Sequence, residues 1–148
     1  MNVKIVAALI VSVWTAGVLQ SVRAEQGAGS STWSGVYTDE QAKVGGAVYA
    51  KVCSECHLED LAGDGFAPAL RGPEFMNNWN SLTVGDLFER IRVSMPPSNP
   101  SSVTPKEKAE IIAFILKSGG FPSGKTELAS TPDALKGIKF EATKPGAR

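Results

Sequence analysis

The chain has little histidine and little cysteine. One histidine and two cysteines occur in 148 residues, and all three lie in the pentapeptide CSECH at 53–57. A structural zinc ion needs four nitrogen or sulfur ligands, so three such residues nearly exclude an intramolecular zinc site. A second cysteine pair is also missing, which excludes a disulfide framework. The chemistry of the pentapeptide therefore has to be explained from these five residues.

Excess charge of either sign is missing as well. The chain has 15 basic and 15 acidic side chains, which gives a formal net charge of zero. No basic surface is therefore expected for binding nucleic acid. A large field of one sign that would steer a charged partner is not expected either.

The longest apolar stretch is too short to span a membrane. Residues 5–19 follow the basic start MNVK and precede Val22-x-Ala24, a small-residue pattern typical of a cleavage site. A spanning helix needs about 20 apolar residues. The layout predicts a signal peptide at 1–24 and a periplasmic mature protein without stable membrane insertion. An uncleaved N-terminal membrane tether is the alternative.

The rest of the chain shows no internal repeat and has a helical pattern. Thr38 and Gln41 form a predicted capping box for a helix over 39–52, with an apolar face at three-to-four spacing. Thr83 is the predicted cap of a second helix over 83–94, which Pro96 and Pro97 end. A third helix begins at Thr104-Pro105-Lys106-Glu107 and ends at Gly119-Gly120.

These elements predict an all-α domain over 38–120, made of three main helices and irregular loops. A Gly/Ser-rich flexible leader at 25–37 precedes it, and an extended tail at 121–148 follows it. Such a small domain has a thin core, and small domains usually need a metal, a cofactor or a disulfide for stability. The small number of apolar side chains available for the core is therefore an argument for a bound prosthetic group.

The spacing Cys-x-x-Cys-His is the attachment pattern of haem c. Cys53 and Cys56 are spaced to reach the two vinyl groups of one porphyrin edge, and His57 follows as the proximal iron ligand. A thioredoxin-like redox pair would require a βαβ context, and the pattern here is helical. A disulfide between residues three apart closes too small a loop to add much stability. Coincidence is the remaining alternative. We therefore predict one haem c, attached covalently through Cys53 and Cys56.

The second axial ligand has to come from another residue type, because the chain has no second histidine. Once Met1 leaves with the signal peptide, Met76 and Met95 remain. Met95 precedes Pro96, and a residue before proline is disfavoured in helical conformation, so its side chain is free to turn towards the haem. Met76 is expected on an irregular loop as an apolar gap filler. The prediction is His57 and Met95; lysine, water or an open position stay as alternatives.

Around this motif the chain resembles class I (mitochondrial-type) cytochromes c, over roughly residues 38–120. The stretch GGAVYAKVCSECH has the glycine and the aromatic residue of that family upstream of the haem motif, here Gly45 and Tyr49. In that family they lie where the first and last helices cross, against an aromatic residue matched by Phe114. The resemblance implies the cytochrome c fold wrapped around one haem.

Two further stretches extend the resemblance. APALRG matches the Pro-x-Leu-x-Gly stretch of the family, which implies that the Pro68 carbonyl accepts a hydrogen bond from the proximal imidazole and that Leu70 contacts the haem. FMNNW supplies Trp79, whose indole would bond a haem propionate; ordinary core packing is the alternative. WSGVYTDEQAKVG and GFPSGKTEL resemble bacterial monohaem cytochromes that accompany quinoprotein (PQQ-type) dehydrogenases.

The expected function is electron transfer by Fe(III)/Fe(II) cycling and not catalysis on a substrate. The expected partners are redox proteins, with a dehydrogenase as donor and an oxidase or another cytochrome as acceptor. One alternative is a cytochrome subunit of a quinoprotein dehydrogenase complex, and another is a haem enzyme or gas sensor with an open distal site. Asp60, Asp64 and Asp86 are interpreted as turn or cap residues.

Overall fold

The computed structural model describes residues 29–146, so the predicted signal segment lies outside the described residues. This part of the chain is mostly helical, as predicted. Its α-helices are α1 (Asp39–Val52), α2 (Ser54–His57), α3 (Gly72–Trp79), α4 (Val84–Ser94), α5 (Pro105–Ser118) and α6 (Pro132–Leu135). Short 3-10 helices lie at Thr32–Ser34 and Pro100–Ser102, and the strands β1 (Ser30–Ser31) and β2 (Ile138–Lys139) pair in parallel.

The three predicted helices are confirmed, and their caps explain where they begin. Thr83 and Asp86 form a reciprocal capping box at the start of α4, and Thr104 and Glu107 form another at the start of α5. Each box satisfies backbone amides that have no partner inside the helix. Because these signals are local, the sequence located both starts correctly.

At the start of α1 the structure departs from the predicted capping box. The Thr38 hydroxyl accepts a hydrogen bond from the Gln41 amide at 3.1 Å, as predicted. The Gln41 side chain does not return to the cap. Instead its Nε2 donates to the Leu128 carbonyl at 2.8 Å, and its Oε1 accepts from the Leu128 amide at 2.7 Å. A buried amide group needs such partners, and the tail supplies them.

Helices α1 and α5 form the main contact of the fold. A Cβ atom on Gly45 would overlap the carbonyl group of Glu110, so the two backbones touch at this point. One turn later the Tyr49 and Phe114 rings pack with centroids 5.2 Å apart. The helix crossing that the resemblance implied is therefore present, at the residues named for it.

The sequence interpretation missed α3. An irregular loop was expected over residues 61–75 and at Met76, and that expectation is wrong from Gly72 onwards, where α3 begins. The Gly- and Pro-rich composition concealed the helix, although Pro73 is compatible with a first helical turn. Phe75 and Trp79, four residues apart, are the signal that could have located it.

The tail does pass over the core, with Leu135, Ile138 and Phe140 fully buried. It was expected to be extended; the strand β2 fits that expectation, and the short helix α6 departs from it. Its backbone bonds the segment before α4: the Ser81 amide donates to the Phe140 carbonyl at 2.9 Å, and the Phe140 amide donates to the Leu82 carbonyl at 2.8 Å.

The described part of the predicted leader, residues 29–37, packs against the core. Trp33 donates from its indole nitrogen to the Glu141 carbonyl at 2.9 Å, and its ring lies 4.8 Å from that of Phe121. Tyr37 is 1% exposed. Composition predicted a flexible segment because it ignores long-range contacts with the tail. The domain boundaries themselves stay a prediction.

Tyr37 gives a test of this packing. Its hydroxyl donates to the Phe121 carbonyl at 2.6 Å, and burial, followed by the charge of Asp39, raises its pKa to about 12. Tyr37→Phe should lower the free energy of unfolding by about 1–2 kcal/mol, because it leaves a buried carbonyl without its donor. Guanidinium unfolding of the holoprotein measures the effect. An unchanged unfolding midpoint, with an unchanged haem spectrum, would contradict it.

Candidate haem-binding site

The CSECH motif forms a helical turn at the junction of α1 and α2. Cys53 ends α1, with its amide donating to the Tyr49 carbonyl at 2.9 Å, and the His57 amide donates to the Cys53 carbonyl at 2.9 Å. Residues three apart on such a turn lie on one face. Cys53 and Cys56 are free thiols, the first partly buried and the second exposed. The local chain therefore presents both sulfurs and the imidazole together.

These side chains line a cavity of about 780 Å³, to which residues of α1 to α5 and the loop before α3 contribute. This volume lies in the range of cofactor pockets. The cavity wall includes all seven residues singled out from the sequence: Cys53, Cys56, His57, Pro68, Leu70, Trp79 and Met95. Apolar side chains of α4 and α5, such as Leu87, Ile111 and Ile115, line it as well. In size and composition the cavity fits a largely apolar macrocycle.

His57 is held by a hydrogen bond to the backbone. Its ring is largely buried, with 7% of the residue exposed, and Nδ1 lies 2.8 Å from the Pro68 carbonyl oxygen. Because a carbonyl is an acceptor, Nδ1 must carry the proton of this bond. Nε2 then keeps its lone pair for a metal ion. Bonds of this kind fix the orientation of an imidazole ligand and raise its basicity.

The loop between His57 and α3 is held by its own backbone. The Gly63 amide donates to the His57 carbonyl at 3.1 Å, and the Leu70 amide donates to the Leu61 carbonyl at 2.8 Å. Gly63 has φ +71°, and a Cβ atom there would collide with the Ala67 carbonyl. The loop thereby brings the Pro68 carbonyl to the imidazole.

The acidic residues of this region act as turn and cap residues, as predicted. Asp64 accepts from the amides of Phe66 and Ala67 at 2.9 and 2.8 Å, and these bonds lower its pKa. Asp60 accepts from the Ala62 amide and pairs with Arg71. Asp86 belongs to the α4 capping box. Their oxygens are thus engaged in local structure.

The two methionines lie in different environments. Met95 caps the C-terminus of α4 with extended backbone angles, φ −126° and ψ 136°, and it lines the cavity. Met76 lies on α3 and packs near Gly119, where its Cε is 2.9 Å from the position of an added Cβ. It is not among the cavity-lining residues. The structure therefore brings Met95, and not Met76, to the cavity of His57.

Leu70 and Trp79 line the same cavity, each partly buried. The Trp79 ring packs against Phe75 with centroids 6.2 Å apart. Within residues 29–146 its indole N–H has no hydrogen-bond acceptor. Both packing and a bond to a haem propionate are compatible with this placement.

Sequence interpretation missed Lys108, a buried lysine in the cavity wall. It is 3% exposed and lines the cavity beside Ile111 and Ile115. These three residues recur at three-to-four spacing, so Lys108 lies on the apolar face of α5. A lysine within an apolar helical stripe is the signal that could have identified it.

Cys53 does not have the environment of a redox-active thiol. Burial, followed by the neighbouring Cys56, raises its pKa to about 11. The reactive cysteine of a Cys-x-x-Cys redox pair has a lowered pKa and forms a thiolate. This difference disfavours a thioredoxin-like role for the motif.

A helical fold, a largely apolar cavity and a Cys-x-x-Cys-His turn on its wall together define a c-type cytochrome. Residues 40–115, just over half of the chain, match the family model described as cytochrome C oxidase, cbb3-type, subunit III. The chain belongs to this family, whose cytochrome c domain carries covalently bound haem c and transfers electrons. No curated protein and no solved structure gives a significant match.

Within the described residues, no helix is long and apolar enough to cross a membrane. No group of three or more histidine, cysteine and acidic residues forms a candidate metal site in this part of the chain.

Proposed function

We propose that the protein is an exported monohaem electron carrier of the class I type, with His57 and Met95 as the axial ligands of one haem c. The observation that carries this proposal is the arrangement around the imidazole. Its Nδ1 is bonded to the Pro68 carbonyl at 2.8 Å, and Met95 and both cysteines line the same cavity. When bound, the haem supplies one-electron Fe(III)/Fe(II) chemistry.

The chain's own residues determine how that chemistry is used. Cys53 and Cys56 would fix the cofactor covalently, and the Pro68 carbonyl would hold the imidazole in one tautomer and orientation. A Met/His ligand set raises the reduction potential. Apolar residues such as Leu70 and Ile115 line the cavity and would limit the contact of water with the bound cofactor, which favours a reversible electron carrier over a catalyst that acts on a substrate.

A redox protein partner would approach where the cofactor is nearest to the surface. Phe66 and Cys56 both line the cavity and are both exposed, Phe66 to 99%. Because both residues belong to the cavity wall and reach the surface, the contact with a partner is proposed on this side of the cavity. We propose a dehydrogenase as donor and an oxidase or another cytochrome as acceptor.

The second candidate is a cytochrome subunit of a quinoprotein dehydrogenase complex. Its support is the resemblance of WSGVYTDEQAKVG and GFPSGKTEL to cytochromes that accompany such enzymes. In residues 29–146, Trp33 and the tail bond each other, so a partner would meet them as one surface. Size-exclusion chromatography of the native periplasmic fraction, detected by haem absorption, separates the two: a carrier elutes as a monomer, and a subunit elutes with a larger protein.

A mass measurement of the exported protein tests attachment and export together. The expected mass is that of residues 25–148 plus one haem, because the signal peptide is removed and two thioether bonds form. A mass that includes residues 1–24 would instead support a membrane-tethered form. A Cys53→Ala, Cys56→Ala double variant serves as the control and should lack the haem mass. Haem retained by that variant under denaturing conditions would contradict the attachment site.

A further inference from the structure

Lys108 is a buried cation bonded to two backbone carbonyls on either side of Met95. Its Nζ donates to the Pro100 carbonyl at 2.6 Å and to the Arg92 carbonyl at 3.2 Å. The residue is 3% exposed, and burial, together with the charge of Arg92, lowers its pKa. Within residues 29–146, no carboxylate lies within ion-pair distance of this ammonium group. The carbonyl dipoles are its partners.

The Arg92 carbonyl needs an unusual donor because of the sequence that follows α4. In a continuing helix it would accept from the amide four residues on, which here is Pro96, and proline has no N–H. The Met95 amide is already used, since it donates to the Ile91 carbonyl at 3.0 Å. The last carbonyls of a helix have no partner inside it. Lys108 supplies the donor that Pro96 lacks.

The second carbonyl lies beyond Met95, where the chain has left α4. Pro100 begins the short 3-10 helix that leads into Val103 and α5. By donating to the carbonyls of both Arg92 and Pro100, Lys108 links the two ends of the segment 92–100. Hydrogen bonds to a charged donor are stronger than neutral ones. Both ends of the segment that carries Met95 are thus fixed to α5.

We propose that Lys108 is a positioning residue for Met95, holding the segment 92–100 so that the thioether stays at the cavity. The inference rests on the proposed role of Met95 as an axial ligand. It assigns to Lys108 a role through the backbone and not a contact with iron, because its ammonium group donates to two carbonyls and has no lone pair for a metal ion. Without this link, the segment should open locally and release the sixth coordination position more often.

The test compares Lys108→Met with Lys106→Met in the holoprotein. Methionine keeps the unbranched apolar stem and removes the donors. Lys106 lies on the same helix with its side chain 76% exposed, which makes it a matched control. Hydrogen exchange should be roughly tenfold faster in Lys108→Met at the amides of Met95, Asn99 and Ser102. These amides donate to the carbonyls of Ile91, Pro96 and Asn99, in the segment or next to it. Amides of the α1–α5 contact should exchange as in the wild type.

The second measurement is the binding of added imidazole to the ferric protein, followed by absorption. Imidazole binds when the sixth position opens, so its apparent affinity reports the open fraction. We expect a rise of roughly tenfold in Lys108→Met and no change in Lys106→Met. If Lys108→Met does not accumulate, Lys108→Gln, which keeps a shorter N–H donor group, should show a smaller change in the same direction.

Two results would overturn the proposal. One is an unchanged rate of hydrogen exchange in the segment. Faster exchange spread evenly over all helices counts as the same result, because it would show that Lys108 only stabilises the fold as a whole. The other is faster exchange without a change in imidazole affinity, which would remove its role at the haem. The role of Met95 is judged separately, by the spectrum of Met95→Ala. If Met95→Ala shows that Met95 is not the ligand while hydrogen exchange in the segment is still faster in Lys108→Met, then Lys108 holds the backbone of the segment but has no role at the haem.

Discussion

Replacing Met95 with alanine is expected to abolish the weak far-red absorption band that marks a methionine–iron bond in ferric haem. The Met95 side chain lines the cavity that contains His57, and its backbone has already left α4. Removing the thioether leaves the sixth position to water or another weak ligand. Because Met/His ligation raises the reduction potential, the potential should fall, on the order of 100 mV or more. Absorption spectroscopy and potentiometric titration measure both effects.

Met76→Ala is the matched control for this experiment. Met76 packs on α3 near Gly119 and is not among the cavity-lining residues. Its removal leaves a small void, so it should lower stability by about 2–3 kcal/mol while keeping the far-red band. A band that survives Met95→Ala and disappears in Met76→Ala would show that the ligand assignment is wrong. A band missing from the wild type would favour an open distal site and gas or peroxide chemistry.

Replacing Gly45 with alanine is expected to have the largest effect on stability. The added Cβ would overlap the backbone carbonyl of Glu110, and a backbone group cannot move aside as a flexible side chain can. Helices α1 and α5 would have to separate along their contact, which also disturbs the Tyr49–Phe114 pair. Overpacking of this kind costs about 3 kcal/mol or more. That is a large part of the total stability of a small domain, so Gly45→Ala holoprotein should unfold at much lower guanidinium concentration.

Gly46→Ala provides the control one residue away. A Cβ atom there would lie 3.1 Å from the Phe114 ring, which is half-buried and able to shift. Alanine also favours a helix over glycine by about 1 kcal/mol. The two effects oppose each other, so stability should change by less than about 1 kcal/mol. Equal effects of the two substitutions would mean that the close contact at Gly45 does not limit the helix crossing.

The helices that the sequence predicted are those with local start and stop signals. Thr83 and Thr104 each begin a capping box whose partner lies three residues on, and such signals act within one turn. Helix α3 was missed because its start, Gly72-Pro73, also fits a turn. Gln41 was assigned to the wrong partner because Leu128 lies 87 residues away in the chain. A contact over that distance leaves no mark in local sequence.

The residues of the candidate site also fall into two groups, those predictable from local sequence and those that only the fold brings to the site. Cys53, Cys56 and His57 are adjacent in sequence, so their joint chemistry follows from spacing along one turn. Pro68 and Met95 were linked to them by resemblance and by elimination, and the fold is what brings them to the same cavity. Lys108 was overlooked because lysine is normally exposed, and its buried position depends on carbonyls that α4 and Pro100 provide.

The sequence by itself determined the cofactor, the helical class and the starts of the main helices, because each depends on residues within a few positions of one another. The tertiary structure decided which methionine reaches the cavity, how the tail bonds α1, and what holds the segment around Met95. Each of these depends on groups that are far apart in the chain and that only the folded backbone brings together. Residues adjacent in sequence determine which cofactor is bound, and long-range packing determines which other residues surround it.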